Sequence, residues 1–369
     1  MKIVFNGNVA AVNIYTTPEA RKQPGKVDQV KAGRTDGQLC DNQAAPEAGR
    51  MEVEFAEDNR LDDRVGRKRL PWRGKKTKTM QLARAMHAIG QNKKANRVWW
   101  CAASLGYKGE PGQGGKLFSA GFCRERLCVM CAWRKSIKVF YELSRVLDVA
   151  QDENPNLDTI FLTLTVRNCD GSDLAAVVDS MCKGWKRMGD NRRYRDAVVG
   201  SFRALEVTYS ADDDTYHPHF HAILLVDKQY FSDPKRYLHT KDWVSLWRVS
   251  CGLDYDPVCD IRATKTNKDK KRAHVAEVAK YTVKDTDIVH DSESTTARVV
   301  HVISGALKGR RLYAFGGVLT KIARQLKADK PGEGDLVNIT GDETIRDDIA
   351  HALVVYEWDF GAKDYFRSG

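Results

Sequence analysis

The sharpest chemical signal in this 369-residue chain is His217-Pro218-His219-Phe220-His221, followed at once by the apolar run Ala222-Ile223-Leu224-Leu225-Val226. On a β-strand, side chains two residues apart share a face. His219 and His221 therefore point together and can hold one metal ion, and the apolar run marks their strand as a buried central one. His217 has the same parity but sits nearer the preceding turn, so it stands as a spare. The competing reading is a surface histidine cluster or a packed hairpin. A third ligand comes from the strand before. Pairing residues 201–210 with 216–226 about a turn centred on Asp212–Asp213 sets Glu206 opposite His219, while Leu205 and Val207 face away. The alternative for Glu206 is a solvent-facing edge position. Two imidazoles and one carboxylate suit a borderline-to-hard divalent ion, Mn²⁺ or Mg²⁺, with positions left open for phosphate oxygens and water.

A second group lies in Glu277-Val278-Ala279-Lys280-Tyr281-Thr282-Val283-Lys284. A helix is expected over 271–284, which stands Glu277 and Tyr281 one turn apart with Lys284 beside Tyr281. A tyrosine hydroxyl is a poor nucleophile at its free pKa of ~10. A metal ion and a lysine lower the cost of ionising it while neutralising a phosphate. Glu277, one turn away, can act as general base. The spacing is common in ordinary amphipathic helices, so its weight comes from appearing with the histidine pair.

The third group is cysteine. Nine Cys in a chain too large to need disulfide staples point to metal ligation or reduced thiols. Cys123, Cys128 and Cys131 form a knuckle, and Cys101 upstream completes a four-cysteine set for Zn²⁺, which takes four thiolate or imidazole ligands. The alternative is buried thiols at the base of the next helix. Cys40, Cys169, Cys182, Cys251 and Cys259 show no ligand spacing. Around the knuckle, Arg124, Arg126, Arg134 and Lys135 interleave with Trp133, a pattern suited to phosphate contacts beside a base-stacking ring. Trp133 reads equally well as core, and Trp243 and Trp247 read as core.

These groups need elements to hold them. Helices are expected over 79–97, 132–150, 173–189, 191–197, 240–250 and 317–328, and a strand over 160–166, besides the hairpin already described. Residues 109–116 read as a loop, and the C-terminal VVYEWDF as a short strand. The chain divides into a disordered basic N-terminal region (1–77), a helical DNA-binding element with the Cys knuckle (78–150), a catalytic domain (151–330) and an acidic tail (331–369). Lys and Arg total 60 against 49 Asp and Glu, a net of +11. Residues 1–100 carry +9 and 331–369 carry −6, and eight of the fifteen residues from Arg64 to Lys78 are basic. This polarity points to nucleic acid. No run approaches the ~18 apolar residues of a membrane helix and no signal-peptide pattern opens the chain, so a cytoplasmic protein is expected, with no membrane partner.

Four blocks, FLTLTV, RALEVTYSADDDTYHPHFHAILLV, DWVSLWR with GLDYDP, and EVAKYTVKDTD, resemble those of plasmid rolling-circle replication initiator (Rep) proteins of Gram-positive type, single-tyrosine members of the HUH endonuclease superfamily. The block CRERLCVMCAWRKS is also similar to one in that family, with Val129 where the family has proline. The resemblance runs from about Trp99 to Leu319. It implies an α+β, ferredoxin-like fold: an antiparallel sheet with packed helices, preceded by a small helical zinc-knuckle element. It also implies that His219 and His221 hold the divalent ion, that Tyr281 is the nicking nucleophile, and that Glu277 activates the water that ends replication. The expected activity is a metal-dependent, site-specific nick at a plasmid origin through a 5′-phosphotyrosine, Lys284 supporting the developing charge. Single- and double-stranded origin DNA, host helicase and polymerase, and a second copy of the chain are the expected partners. A conjugative relaxase, a single-strand transposase and a non-catalytic zinc DNA-binding regulator are the alternatives. A relaxase usually carries its tyrosine ahead of its histidines, whereas Tyr281 follows them by 60 residues.

Overall fold

The computed structural model describes residues 2–5, 8–11, 59–65, 68–109, 115–263, 268–280, 284–339 and 352–368. Cys40 and Tyr281 lie outside the described residues, as does most of the 1–77 segment. The chain begins with the hairpin β1 (Lys2–Phe5) and β2 (Asn8–Ala11) and the short pair β3 (Arg64–Val65) and β4 (Lys68–Arg69). Helices α1 (Trp72–Ala88) and α2 (Asn92–Trp99) follow, then strands β5 (Ser104–Gly109) and β6 (Gly115–Ala120). The single helix expected over 79–97 is two helices, because Gly90 turns left-handed at φ +75° and ends the first. α1 also starts earlier than expected. The boundary drawn at 77 falls inside it, and Trp72, Lys75 and Lys76 on its first turns are buried.

Next come α3 (Val129–Glu153), β7 (Leu157–Thr165), α4 (Leu174–Asp190), α5 (Arg192–Ala197), β8 (Gly200–Ser210), β9 (Thr215–Asp227) and α6 (Thr240–Cys251). They are followed by β10 (Cys259–Ala263), α7 (Lys268–Val278), α8 (Asp285–Ile288), α9 (Glu293–Ala306), β11 (Tyr313–Gly317) and α10 (Val318–Gln325). Five strands form an antiparallel sheet in the order β10-β7-β9-β8-β11, with β9 at its centre. The fold is α+β. Phe220 of β9 packs edge-on against Trp185 of α4 and Trp247 of α6, so those helices cover one face. His219 and His221 alternate with Phe220 and project to the other face. There α7 lies across the sheet, and its His274 stacks on Phe161 of β7 with ring centroids 4.9 Å apart.

Several elements escape the periodicity argument, α9, β10 and β11 among them. α9 is rich in Thr, Val and Ile, which favour strands, yet Ser292 caps it by accepting the Thr295 N–H. That N-cap serine is the signal that could have revealed it. β10 and β11 are short edge strands with no buried alternation. The helix expected over 271–284 is shorter: α7 ends at Val278, and Lys284 is extended (φ −69°, ψ 151°) where it caps α8.

The acidic segment expected as a tail is folded against the knuckle element. β12 (Ala352–Asp359) pairs with β5, and β13 (Asp364–Arg367) with β12, giving the sheet β13-β12-β5-β6. Tyr365 Oη donates to Ala102 O at 2.6 Å, and Trp358 N to Ala103 O at 2.8 Å. Of the loop expected over 109–116, Gly109 ends β5, Gly115 and Lys116 begin β6, and residues 110–114 lie outside the described ones.

Candidate functional site

The β8–β9 register sets Glu206 directly opposite His219, and β7 brings Thr163 opposite His221. The hairpin turn at residues 211–214 decides this, since in antiparallel pairing each turn position dictates every partner on the two strands. Glu206 Oε2 lies 3.3 Å from His219 Nε2 and 3.1 Å from His221 Nε2, and the two nitrogens are 3.2 Å apart. Three donors ~2.1 Å from one ion stand ~3.0 Å apart at neighbouring octahedral positions and ~3.4 Å apart in a tetrahedron. The observed triangle fits one ion with further positions open.

The histidine tautomers agree with that fit. His219 Nδ1 is 3.2 Å from the His217 carbonyl, which can only accept, so Nδ1 carries the hydrogen and Nε2 presents a lone pair. His221 Nδ1 is held by Thr163 Oγ1 at 3.1 Å. Glu206 is buried, at 3% exposure. Burial alone would raise its pKa, but with no ion bound His219 and His221 can carry a second proton on Nε2, and their hydrogen bonds and charge then outweigh burial and hold the carboxyl well below its usual range. His217 stands apart, its Nδ1 2.8 Å from Asn168 Oδ1. Burial, and then neighbouring His219, push it down to about 4.

The second group is less compact than its sequence spacing suggests. Lys284 Nζ is 2.8 Å from Glu206 Oε1, so the ammonium faces the carboxylate of the triad. Glu277, on α7, is half-exposed and ion-paired with Lys280. Tyr281 lies between them in sequence, outside the described residues. Sequence reasoning missed Asp287, whose largely buried carboxyl is raised to about 7 by burial, opposed by Lys284 and reinforced by Glu206. Its Oδ2 has no hydrogen-bond partner. Nothing in its sequence spacing marks it, because the α8 turn alone brings it to the site.

Cys101, Cys123, Cys128 and Cys131 gather with all four sulfurs within 4.8 Å of one another, every one of them buried. Cys101 and Cys131 are 3.5 Å apart and Cys123 and Cys131 3.7 Å, close to the ~3.8 Å edge of a tetrahedral zinc tetrathiolate. The Cys123 N–H donates to Cys101 Sγ at 3.4 Å and the Arg124 N–H to Cys131 Sγ at 3.2 Å. Lys76, fully buried, donates to Trp99 O at 2.7 Å and Cys101 O at 2.8 Å. Burial pushes its ammonium down to about 8, and the neighbouring cysteines pull it back up.

The basic residues of the knuckle divide. Arg134 is buried, with Nε donating to Leu336 O at 2.9 Å and Nη2 to Val337 O at 3.0 Å, and it lies over the rings of Trp72 and Trp133. It binds the C-terminal segment to α3 and is not on a DNA-facing surface. Arg126 Nη1 donates to the carbonyls of Leu307 and Arg310, tying the knuckle to the end of α9. Arg124 is exposed and Lys135 partly so. Trp133, Trp243 and Trp247 are all fully buried core. In the basic run from Arg64 to Lys78, whose second half lies in α1, Lys75 and Lys78 pair with Asp285 at 3.1 and 3.0 Å, so part of that charge serves the fold. Among the described residues, no helix is long and apolar enough to cross a membrane.

Known proteins are similar to this chain. A Rep protein of Bacillus amyloliquefaciens is 37% identical over 333 residues, covering 83% of this chain and 96% of its own length. A Rep protein of Lentilactobacillus hilgardii is 32% identical over 304 residues, 81% of this chain and 96% of its own. A replication protein of Staphylococcus aureus is 34% identical over 218 residues, 58% of this chain and 92% of its own. No solved structure matches. The replication protein family model matches residues 114–366, a span that holds the Glu206–His219–His221 triad and three of the four clustered cysteines. The chain therefore belongs to the Rep family of replication proteins, the plasmid rolling-circle initiators that its sequence blocks resemble.

Proposed function

We propose that this protein starts plasmid rolling-circle replication by nicking one strand of its origin. The observation that carries this reading is the convergence of Glu206 Oε2, His219 Nε2 and His221 Nε2 on one sheet face in a chain of the replication protein family. Glu206, His219 and His221 would hold Mn²⁺ or Mg²⁺, which would supply polarisation of an oxygen of the scissile phosphate. Tyr281 loses its phenolic proton and attacks phosphorus. The P–O3′ bond breaks, leaving a 5′-phosphotyrosine and, once that oxygen takes up a proton, a free 3′-OH that primes synthesis. At termination Glu277 accepts a proton from water, and the water oxygen displaces Tyr281 from phosphorus. The same sheet then acts as a strand transferase when a DNA 3′-OH replaces the water. The four-cysteine cluster holds a structural Zn²⁺, with Arg124 and Lys135 beside it contacting origin phosphates. Host helicase and polymerase extend the primer, in the cytoplasm, and a second copy of the chain joins the first on the duplex origin.

The test is mass spectrometry of the protein after incubation with a single-stranded origin oligonucleotide and Mn²⁺. The expected product is a covalent adduct on the peptide carrying Tyr281, lost in Tyr281→Phe while duplex binding persists. An adduct of wild-type yield in that variant would overturn the nucleophile assignment.

A further inference from the structure

The two oxygens of Glu206 have different neighbours. Oε2 faces both imidazoles at 3.1 and 3.3 Å, and Oε1 faces Lys284 Nζ at 2.8 Å. The carboxylate is buried within the sheet, at 3% exposure, and reaches these partners from β8, which pairs with β9 at Glu206 itself and with β11 as far as Ala204. Lys284 arrives from a different element, the extended residue before α8, and its side chain remains one-third exposed. The ammonium thus lies on the far oxygen and leaves one oxygen turned toward the histidines.

We propose that Lys284 is a positioning residue that keeps Glu206 a one-oxygen ligand and thereby sets which divalent ion the site accepts. This rests on the reading of Glu206, His219 and His221 as a metal site. It departs from the expectation that Lys284 acts on the phosphate directly. The chemistry follows from denticity. A carboxylate that offers one oxygen beside two imidazoles suits small ions of about six ligands, such as Mn²⁺. Ca²⁺ takes six to eight oxygen ligands and gains from a carboxylate that chelates through both oxygens. Occupying Oε1 withholds that second oxygen. A partner to a ligating carboxylate typically changes metal affinity 10–100-fold when removed. A positive charge near the ion also repels every divalent cation. That repulsion is equal for Mn²⁺ and Ca²⁺ and cancels in the ratio of their affinities, so the ratio isolates the effect of denticity.

The experiment measures Mn²⁺ binding from the electron paramagnetic resonance of the free ion, with Ca²⁺ as competitor. It uses full-length zinc-loaded protein, and a His219→Ala variant corrects for binding elsewhere. Lys284→Met is expected to lower the preference for Mn²⁺ over Ca²⁺ by about tenfold or more. Lys284→Arg, which keeps a cation beside Oε1, should retain most of it and serves if the methionine variant does not fold. An unchanged ratio in Lys284→Met, or a ratio in Lys284→Arg that falls as far as in the methionine variant, overturns the proposal while the metal site stands. Wild-type protein in which His219→Ala alters binding of neither ion overturns both.

Discussion

Among the described residues two clusters of side chains could hold a metal ion, and they are built in opposite ways. The four cysteines come from the end of α2, the turn before α3 and the first turn of α3, and all four sulfurs are buried. Such a set closes a tetrahedron and leaves no position for substrate, as structural zinc sites do. The triad of Glu206, His219 and His221 comes from two adjacent strands of one hairpin, offers three donors and leaves the remaining positions open. Its surroundings are charged, with Lys284 on Glu206 and Asp287 nearby. The lesson is one of division of labour. The closed site joins segments that would otherwise not meet, while the open one sits on a sheet already held together by its own ladder.

The largest effect should come from dismantling the closed site. Purified without added metal, the protein should hold about one zinc per chain, and Cys128→Ser should lose it together with most of the folded population, because structural zinc contributes ~10 kcal/mol or more to folding. His219→Ala should by contrast fold and melt like wild type, within a few degrees, while nicking falls steeply. Metal analysis alongside circular dichroism melts of the two variants checks the contrast. Well-folded wild type without zinc would break it.

A smaller effect sharpens what the cysteine cluster is. Lys76 is a buried ammonium whose hydrogen-bond partners are carbonyls, and the neighbouring charge able to balance it is thiolate. If the cluster is a dianionic zinc tetrathiolate, Lys76→Met removes half of a buried charge pair and should cost about 3–5 kcal/mol. If it is four neutral thiols, the same change relieves an unbalanced buried charge and should be neutral or stabilising. Denaturant unfolding of the variant distinguishes the two by sign.

The smallest effect belongs to the open site. Asp287 holds its proton to about 7 in the folded protein, chiefly through burial, whereas an unfolded aspartate loses it near ~4. Between those values the unfolded chain binds fewer protons than the folded one, so wild-type stability falls as pH rises from about 4 to 7. Without added divalent metal, Asp287→Asn should therefore match wild type near pH 4 and become the more stable protein by about 1–2 kcal/mol at pH 8, after allowing for partial solvent screening. Thermal melts across that range test it, and a difference that shrinks with pH would count against the burial of this carboxyl.

How much of this was legible beforehand depended on whether the governing interaction is local. The triad was readable because strand parity and one turn position together determine which side chains face each other, and both are written in consecutive residues. The cysteine set was readable for a similar reason, since three of its members lie within nine residues. Arg134 was not. Its composition and neighbours fit a phosphate contact, yet it spends its donors on carbonyls some 200 residues away, and no local pattern carries that information.

The sequence by itself therefore determined the hairpin, the face shared by Glu206, His219 and His221, and the grouping of the knuckle cysteines, because these follow from backbone periodicity and short spacings. Only the tertiary structure decided that the acidic C-terminal strand completes the sheet of β5, that Lys76 is buried beside the cysteines, and that Lys284 and Asp287 converge on Glu206. Each of those depends on the packing of elements far apart in the chain. Such packing is selected by burial of the whole core, and burial is a property of the assembled fold that no window of residues contains.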